Sequence, residues 1–164
     1  MRRVEADRIR AGPESGERPG GLGCVSIIAE CSSNATEVLE RVRRAMENIS
    51  TADPERWPSV EDWCRRLPEW LIESFRPEPS RQELDAMLRL PYEQRMQWGE
   101  SNWDLAGWLH WFQPENRFWY WWDAQAVTPD KIVLAIEVSE WPFPWGALKW
   151  LLKAAGATSV EAES

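Results

Sequence analysis

The sequence predicts an α+β protein in the ferredoxin-like (split βαβ) order, with an antiparallel sheet and a proline-punctuated helical insertion. Short runs rich in β-branched residues near both ends predict the strands. Apolar residues at helical spacing predict two amphipathic helices. Seven prolines divide residues 51–115 into short helical pieces. If the insertion covers the second face of the sheet, the protein becomes a three-layer α/β/α structure.

Residues 1–24 differ in composition from the rest of the chain. Apolar residues are nearly absent between Arg10 and Gly21, and glycine is frequent there. Such a stretch buries too little surface to offset the entropy of ordering. We therefore expect a disordered tail, or a start assigned too early with Val25 as the natural first residue. Residues 25–164 then form a single domain.

The first strand is predicted over residues 25–30, where β-branched residues are frequent. Asn34 followed by Glu37 resembles a capping box. Apolar residues then recur at helical spacing as far as Ile49. These signals predict an amphipathic helix of about 15 residues that packs on the sheet.

Helix starts recur through the insertion at about 51–115. Three pairs of a serine and an acidic residue predict them: Ser59 with Asp62, Ser80 with Glu83, and Ser101 with Asp104. The last pair opens a segment to Phe112 that is apolar on nearly every side, which favours a central, buried position.

The final third predicts a hairpin, a helix and an edge strand. Residues 117–126 and 132–138 form the two strands, joined at Thr128-Pro129-Asp130. A helix is predicted from Pro144 to Ala155, ended by Gly156. Residues 158–162 are typical of a short final strand.

Composition limits the classes of function. The net charge is −8 and the isoelectric point is about 4.8, which argues against a nucleic-acid binder and favours a basic protein partner. No apolar run approaches the roughly 20 residues of a membrane span, and no signal peptide is evident, so we expect a cytoplasmic protein. The preference for Arg over Lys indicates a bacterial genome rich in G and C.

Metal and cofactor chemistry find little support. The chain has one histidine and three cysteines, with no CxxC pair. These counts exclude a multi-histidine metal site and disfavour a zinc or disulfide framework. No phosphate-binding or dinucleotide-binding glycine motif follows a strand. The sequence therefore predicts no metal and no cofactor.

Thirteen tryptophans, all between Trp57 and Trp150, are the most unusual feature. Strand alternation places Phe118, Tyr120 and Trp122 on one face and Trp119, Trp121 and Asp123 on the other. Trp119, Trp121 and Trp122 are candidate ligand-stacking residues, and the alternative is that they are core residues.

Three side chains are candidates for catalysis. Asp123 and Glu137 lie in otherwise apolar strands and would form an acid–base pair, or a structural ion pair with a partner such as Arg117. His110 is the only candidate imidazole base, but no Ser or Cys nucleophile lies at helical spacing from it. A structural histidine near a helix end is the alternative.

Trp141, Phe143 and Trp145 form a proline-stiffened aromatic loop. Aromatic side chains held rigid are typical of interface hot spots. The alternative is a lid that closes one end of the core.

The leading hypothesis is a small, acidic, non-catalytic module that binds or neutralises a basic protein, in the manner of an immunity protein. Its grounds are the net charge, the surplus of aromatic residues and the lack of a catalytic motif. The alternative is a small-molecule or carbohydrate-binding protein, or a hydrolase, with a tryptophan-lined pocket that holds an acidic residue.

Overall fold

The computed structural model describes residues 2–101 and 103–163, with side chains described over 5–98 and 103–163. The strands are β1 (Cys24–Glu30), β2 (Trp119–Thr128), β3 (Lys131–Val138) and β4 (Ser159–Ala162). The helices are α1 (Arg2–Ala11), α2 (Ala35–Thr51), α3 (Val60–Arg66), α4 (Glu69–Ser74), α5 (Arg81–Leu88), α6 (Tyr92–Ser101), α7 (Leu105–His110) and α8 (Gly146–Ala155). A 3-10 turn covers Pro114–Asn116. The predicted α+β class is confirmed.

The strands form one antiparallel sheet in the order β2-β3-β1-β4. Strand β1 lies inside the sheet, between β3 and β4. The predicted hairpin is β2 and β3, and its loop consists of Pro129 and Asp130. A two-residue loop is a common hairpin connection, and the pairing of β2 with β3 shifts register twice, at Trp122 and at Val127.

One face of the sheet carries the hydrophobic core. Alternate residues of β3 from Ile132 to Val138 are buried, and Leu134 lies beside buried Ile27 of β1. Helices α2 and α8 pack on this face. Their buried residues follow helical spacing, as the sequence predicts: Val38, Leu39, Val42, Ala45, Met46 and Ile49 on α2, and Leu148, Leu151, Leu152 and Ala155 on α8.

A bulge at Trp122 changes which residues of β2 share a face. Trp121 pairs with Ile136, but Asp123 pairs with Ala135, so β2 has one extra residue between them. Asp123 therefore lies on the face opposite Trp121. The prediction that Trp119, Trp121 and Asp123 share a face is wrong, because strict alternation fails at a bulge.

Residues 2–11 form helix α1, whereas composition predicts a disordered tail over residues 1–24. Helix α1 contacts α2 and β2. Ala6 and Ile9 lie one helical turn apart and are both buried. Composition does not reveal these long-range contacts, nor the stacking of Arg8 on the Trp122 ring. A natural start at Val25 stays a prediction.

The chain between α1 and β1 is also attached to the sheet. The N–H of Leu22 donates to the carbonyl of Val138 (2.9 Å), and the N–H of Val138 donates to the carbonyl of Gly23 (3.0 Å). Gly21 has φ +56, and a Cβ there would stand 2.4 Å from the Val138 oxygen. Only glycine fits this close approach.

The insertion consists of short helices, as the proline pattern predicts. The hydroxyls of Ser59 and Ser80 accept from the N–H groups of Asp62 (3.2 Å) and Glu83 (3.1 Å), which confirms both caps. The third predicted start is wrong, because Ser101 belongs to α6 and α7 begins at Leu105.

Two other helix starts differ in detail from the prediction. Asn34 precedes α2, but its side chain accepts from the N–H of Ser32 (3.1 Å) instead of capping the helix. Helix α8 begins at Gly146, two residues after Pro144. Helix ends read from sequence commonly err by this much.

The insertion packs on the helical side of the molecule. Helices α4 and α6 contact α8. The Phe112 ring, which follows α7, lies 5.9 Å from the Trp119 ring. Gln125 and Val127 on the opposite face of the sheet are exposed. The insertion's aromatic rings thus pack against those of α8 and β2, and the three-layer arrangement stays a prediction.

Candidate functional site

The three tryptophans predicted as stacking residues are buried, and Trp119 and Trp121 belong to the hydrophobic core. Trp119 and Trp121 are buried, and Trp122 is 9% exposed. The guanidinium of Arg8 lies 4.5 Å above the Trp122 ring and covers it. The burial of these rings favours core residues over ligand-stacking residues, because it leaves no open ring face for a ligand.

A buried ion pair joins α1 to the start of β2. Glu5 is 1% exposed and the Arg117 side chain 5% exposed. Arg117 Nη1 donates to Glu5 Oε2 (3.0 Å), and the backbone N–H of Trp121, on the outer edge of β2, donates to Glu5 Oε1 (2.9 Å). Arg117 therefore has Glu5 as its partner, and not Asp123 or Glu137. Sequence analysis missed Glu5 because it lay in the presumed tail.

Asp123 and Glu137 share the face opposite the core, but each is held by a backbone amide. Glu137 Oε2 accepts from the N–H of Gly20 (2.8 Å). Asp123 Oδ1 accepts from the N–H of Ala124 (2.9 Å). These bonds fix a loop and a bulge, so the geometry favours structural roles over an acid–base pair.

The loop that contains Trp141, Phe143 and Trp145 is partly buried and partly exposed. Phe143 is buried, Trp145 is half-buried and Trp141 is 54% exposed. The Trp141 and Phe143 rings lie 5.5 Å apart. Trp141 also borders a cavity of about 540 Å³ with Cys24, Val25, Ser26 and Glu163. Only Trp141 of the three presents a largely free ring.

The sheet face opposite α2 and α8, which we call the open face, is apolar at its centre and acidic around it. Ile28, Val133 and Ala135 are half-buried there, and Val127 is exposed. The alternation of the strands places four carboxylates and one cation on this face: Glu30, Asp123, Glu137 and Glu161, and Lys131. The open face is thus an apolar strip with a negative border.

A second surface, the helical groove, lies between α6, α7 and the start of α8. Its cavity measures about 830 Å³. Its lining is mostly apolar, with polar groups among it: Arg95, Met96, Trp103, Asp104, Ala106, Gly107, His110, Trp111, Pro144, Gly146 and Ala147. A cavity of this size and composition is typical of small-molecule sites.

The helical groove contains the only histidine. The exposed His110 ring stands at 88° to the Trp111 ring, with centroids 5.2 Å apart. Among the described lining residues there is no Ser, Thr or Cys that His110 would activate. Its place on the rim suits ligand contact better than nucleophilic catalysis.

The groove was not predicted from the sequence, although α7, the helix that forms one of its walls, was predicted to be central. Trp103 and Trp111 are half-buried, whereas the pattern predicted a helix buried all round. Ala106 and Gly107, two small residues between the tryptophans, are the sequence feature that could have indicated the groove. They leave a hollow where larger side chains would fill the space.

Several carboxyl and thiol groups have shifted pKa values. The hydrogen bond from Arg8 lowers the pKa of Glu17, and the hydrogen bond from Arg76 lowers the pKa of Glu83. Desolvation raises the pKa of the Cys24 thiol, and the Glu137 carboxylate raises it further. Desolvation also raises the pKa of Cys31. These groups lie outside the groove, so its chemistry depends on other residues.

Over residues 5–98 and 103–163, whose side chains the structure describes, no cluster of three or more His, Cys, Asp or Glu has the geometry to hold a metal ion. In the same part of the chain, every helix is too short or too polar to cross a membrane. The chain matches no protein-family model, and no curated protein or solved structure shows significant similarity to it.

Proposed function

We propose that this protein is a non-catalytic module that binds a basic protein on the open face of its sheet. The observation that carries the proposal is the composition of that face, where four carboxylates and one lysine surround an apolar centre. Charge of one sign around an apolar strip selects a partner of the opposite sign and accelerates encounter.

The apolar centre of the open face contributes binding free energy that does not depend on charge. Ile28 and Val133 are cross-strand neighbours, and Ala135 lies next along β3 on the same face. Their side chains remain half-buried although α2 and α8 occupy the other face. Covering them would release water from apolar surface, which stabilises a complex without depending on salt.

The fold supports a more specific architecture. The strand order β2-β3-β1-β4, with α2 and α8 on one face, agrees with the ferredoxin-like arrangement expected from the sequence. We propose that arrangement, with α3 to α7 as the insertion. In it the part of the open face around Ile28, Val133 and Glu161 stays available to a partner, while the N-terminal segment contacts Asp123 and Glu137.

The same proposal includes the cellular setting. The Arg-rich composition supports a bacterial origin, and the net charge of −8 supports a basic toxin or nuclease as partner in the cytoplasm. Neutralising such a partner needs binding only, so it needs no catalytic residue.

The test is capture of a basic partner by matched charge variants. Glu30→Lys with Glu161→Lys reverses two charges on the open face, and Glu69→Lys with Glu73→Lys reverses two exposed charges on α4. The same cell lysate is passed over both variants and the natural chain. We expect the first variant to bind the captured basic protein at least about tenfold more weakly, and the second to bind it normally.

Salt supplies the second arm of that test. Raising ionic strength from about 0.05 to 0.5 M should weaken binding to the natural chain, because exposed charges are screened. Equal loss of binding in both charge variants would show that net charge, and not the open face, attracts the partner. A partner that is acidic or indifferent to salt would overturn the proposal.

We propose small-molecule binding in the helical groove as a second function. The observation that favours it is an 830 Å³ cavity with aromatic walls, Trp103 and Trp111, and one carboxylate, Asp104. This is the kind of pocket that the alternative sequence hypothesis requires, built from other residues than those it named. The groove is separate from the open face, so the two functions are independent.

A further inference from the structure

We propose that the helical groove binds a zwitterion with an apolar body, of which an apolar amino acid is the simplest form. The inference rests on the second proposed function and names its ligand class. It is carried by two opposite charges, Arg95 and Asp104, that line one apolar cavity without forming an ion pair within the described part of the chain.

The cationic side of the groove has unused donors. Arg95 Nε and Trp103 Nε1 are both buried, and neither has a hydrogen-bond partner among the described residues. A buried donor without a partner costs free energy, which a ligand acceptor would recover. A carboxylate suits this side, because guanidinium groups bind carboxylates with two parallel hydrogen bonds.

The start of α8 adds to this preference for an anion. Gly146 and Ala147 line the groove. Trp145 precedes the helix and offers no side-chain cap, so the first amides of α8 are not satisfied by that residue. The positive end of the helix dipole therefore faces the same cavity as Arg95.

The anionic side is Asp104, and the fold makes room for it. Asp104 precedes α7, but its carboxylate makes no capping bond. A Cβ at Gly107 would stand 2.8 Å from Asp104 Oδ1, so glycine at this position lets the carboxylate lie across the helix. An ammonium group is the natural partner of such a carboxylate beside aromatic rings, because the rings attract cations too.

The apolar body has its own place between the charges. Trp103 and Trp111 form walls, and the small residues Ala106 and Gly107 form the hollow between them. Gly146 lies on the opposite side of the groove, where a Cβ would be in ordinary van der Waals contact with Trp103 Cζ2 (3.6 Å). Aromatic walls over a shallow floor suit a flat or branched apolar group.

Four matched probes test the ligand class. L-phenylalanine carries both charges, 3-phenylpropionate only the carboxylate, 2-phenylethylamine only the ammonium, and 3-phenylpropanol neither. Binding to the full chain is measured by isothermal titration calorimetry and saturation-transfer NMR. We expect phenylalanine to bind at least about tenfold more tightly than each of the other three, because only it satisfies both charges.

Single substitutions test whether Arg95 binds the carboxylate of the ligand and Asp104 its ammonium group. Arg95→Ala should weaken phenylalanine and 3-phenylpropionate about tenfold and leave 2-phenylethylamine unchanged. Asp104→Asn should weaken phenylalanine and 2-phenylethylamine and leave 3-phenylpropionate unchanged. Arg89→Ala and Asp85→Asn, on or beside α5 and outside the lining of the groove, are the matched controls. Ala106→Trp should fill the hollow and abolish binding of all four probes.

The outcomes separate the ligand class from the function on which it rests. Equal affinity for all four probes, lost in Ala106→Trp, would overturn the zwitterion while retaining a small-molecule site. No saturable binding of any probe would overturn both. Equal weakening of every probe by Arg95→Ala or Asp104→Asn would show structural roles and overturn the assignment. Unfolding midpoints equal to that of the natural chain confirm that the variants are folded.

Discussion

Tryptophan in this protein serves opposite purposes at different positions. Trp63, Trp108 and Trp121 are fully buried, whereas Trp141 is largely exposed. Trp108 has the most complete environment, since its indole N–H donates to the carbonyl of Ala147 (3.0 Å) and its ring lies 4.4 Å from that of Phe112. Residue type predicts the need for contact area, and the neighbours decide whether protein or ligand supplies it.

Glu5 attaches α1 to β2 through a buried ion pair and a backbone hydrogen bond. Glu5→Ala would leave the Arg117 charge buried without its partner and the N–H of Trp121 without an acceptor. We expect a loss of about 3–5 kcal/mol in the free energy of unfolding. Urea denaturation followed by circular dichroism measures it. The matched control is Asp7→Ala, on the same helix, whose side chain is 72% exposed.

A second substitution separates the loss of the attraction between Glu5 and Arg117 from the cost of leaving the Arg117 charge buried without a partner. In the Glu5→Ala background, Arg117→Met removes the guanidinium and keeps an apolar side chain among Phe112, Trp119 and Tyr120. The double variant should be more stable than Glu5→Ala alone, because no buried charge remains unpaired. Equal losses in Glu5→Ala and Asp7→Ala would contradict this account of the pair.

At the scale of elements, the helices differ sharply in how they are held. Helix α2 buries a continuous stripe against the sheet. Helix α5 has no buried residue, and α5 and α6 together expose Leu84, Leu88, Tyr92 and Met96. Local contacts hold α5, namely the Ser80 cap and the ion pair between Arg76 and Glu83. Few buried contacts mean a low free energy of local opening.

The rates of amide hydrogen exchange should therefore differ between α2 and the pair α5 and α6. We expect the amides of α5 and α6 to exchange much faster than those of α2, measured by mass spectrometry of peptides at neutral pH. Protection in α5 equal to that in α2 would refute the ranking. Acid should loosen α5 further: Arg76 lowers the folded pKa of Glu83, so the pair stabilises α5 above the unfolded carboxyl pKa and loses that effect as the pH falls through the folded value.

At the scale of the whole molecule, the sheet has two edges, and each is protected in its own way. Strand β4 is short, with four residues. Strand β2 has ten residues, and α1 covers its outer edge through the bond from Trp121 to Glu5. Arg43 of α2 also donates to the Ala124 carbonyl of β2 (3.0 Å). Uncovered edge strands promote association, so α1 has a role in solubility as well as in stability.

Removal of residues 1–24 should test that role. The chain 25–164 would expose the edge of β2 and leave Arg117 without Glu5. We expect a lower urea midpoint than that of the full chain and growth of dimers or larger species with concentration, measured by size-exclusion chromatography with light scattering. A monomeric chain 25–164 as stable as the full chain would contradict the prediction and support Val25 as the natural start.

Features that depend on neighbours in sequence were predictable. The hairpin follows from an aromatic run before Pro129 and Asp130 and an alternating run after them, and the starts of α3 and α5 follow from Ser59 and Ser80. Helix α2 follows from its apolar stripe. Each of these elements is selected by backbone hydrogen bonding and by the periodicity of a short segment, which the residues of that segment specify.

Only the tertiary structure decided the features that depend on residues far apart in the chain. Glu5 meets Arg117 across 112 positions, the bulge at Trp122 moves Asp123 to the open face, and the groove joins α6 and α7 to the start of α8. The sequence by itself determined that the chain is acidic and, after residue 24, where the four strands and the two sheet-packing helices α2 and α8 lie, but it did not predict α1. The structure decided which tryptophans are walls and which are core, because burial depends on what packs against a residue and not on its type.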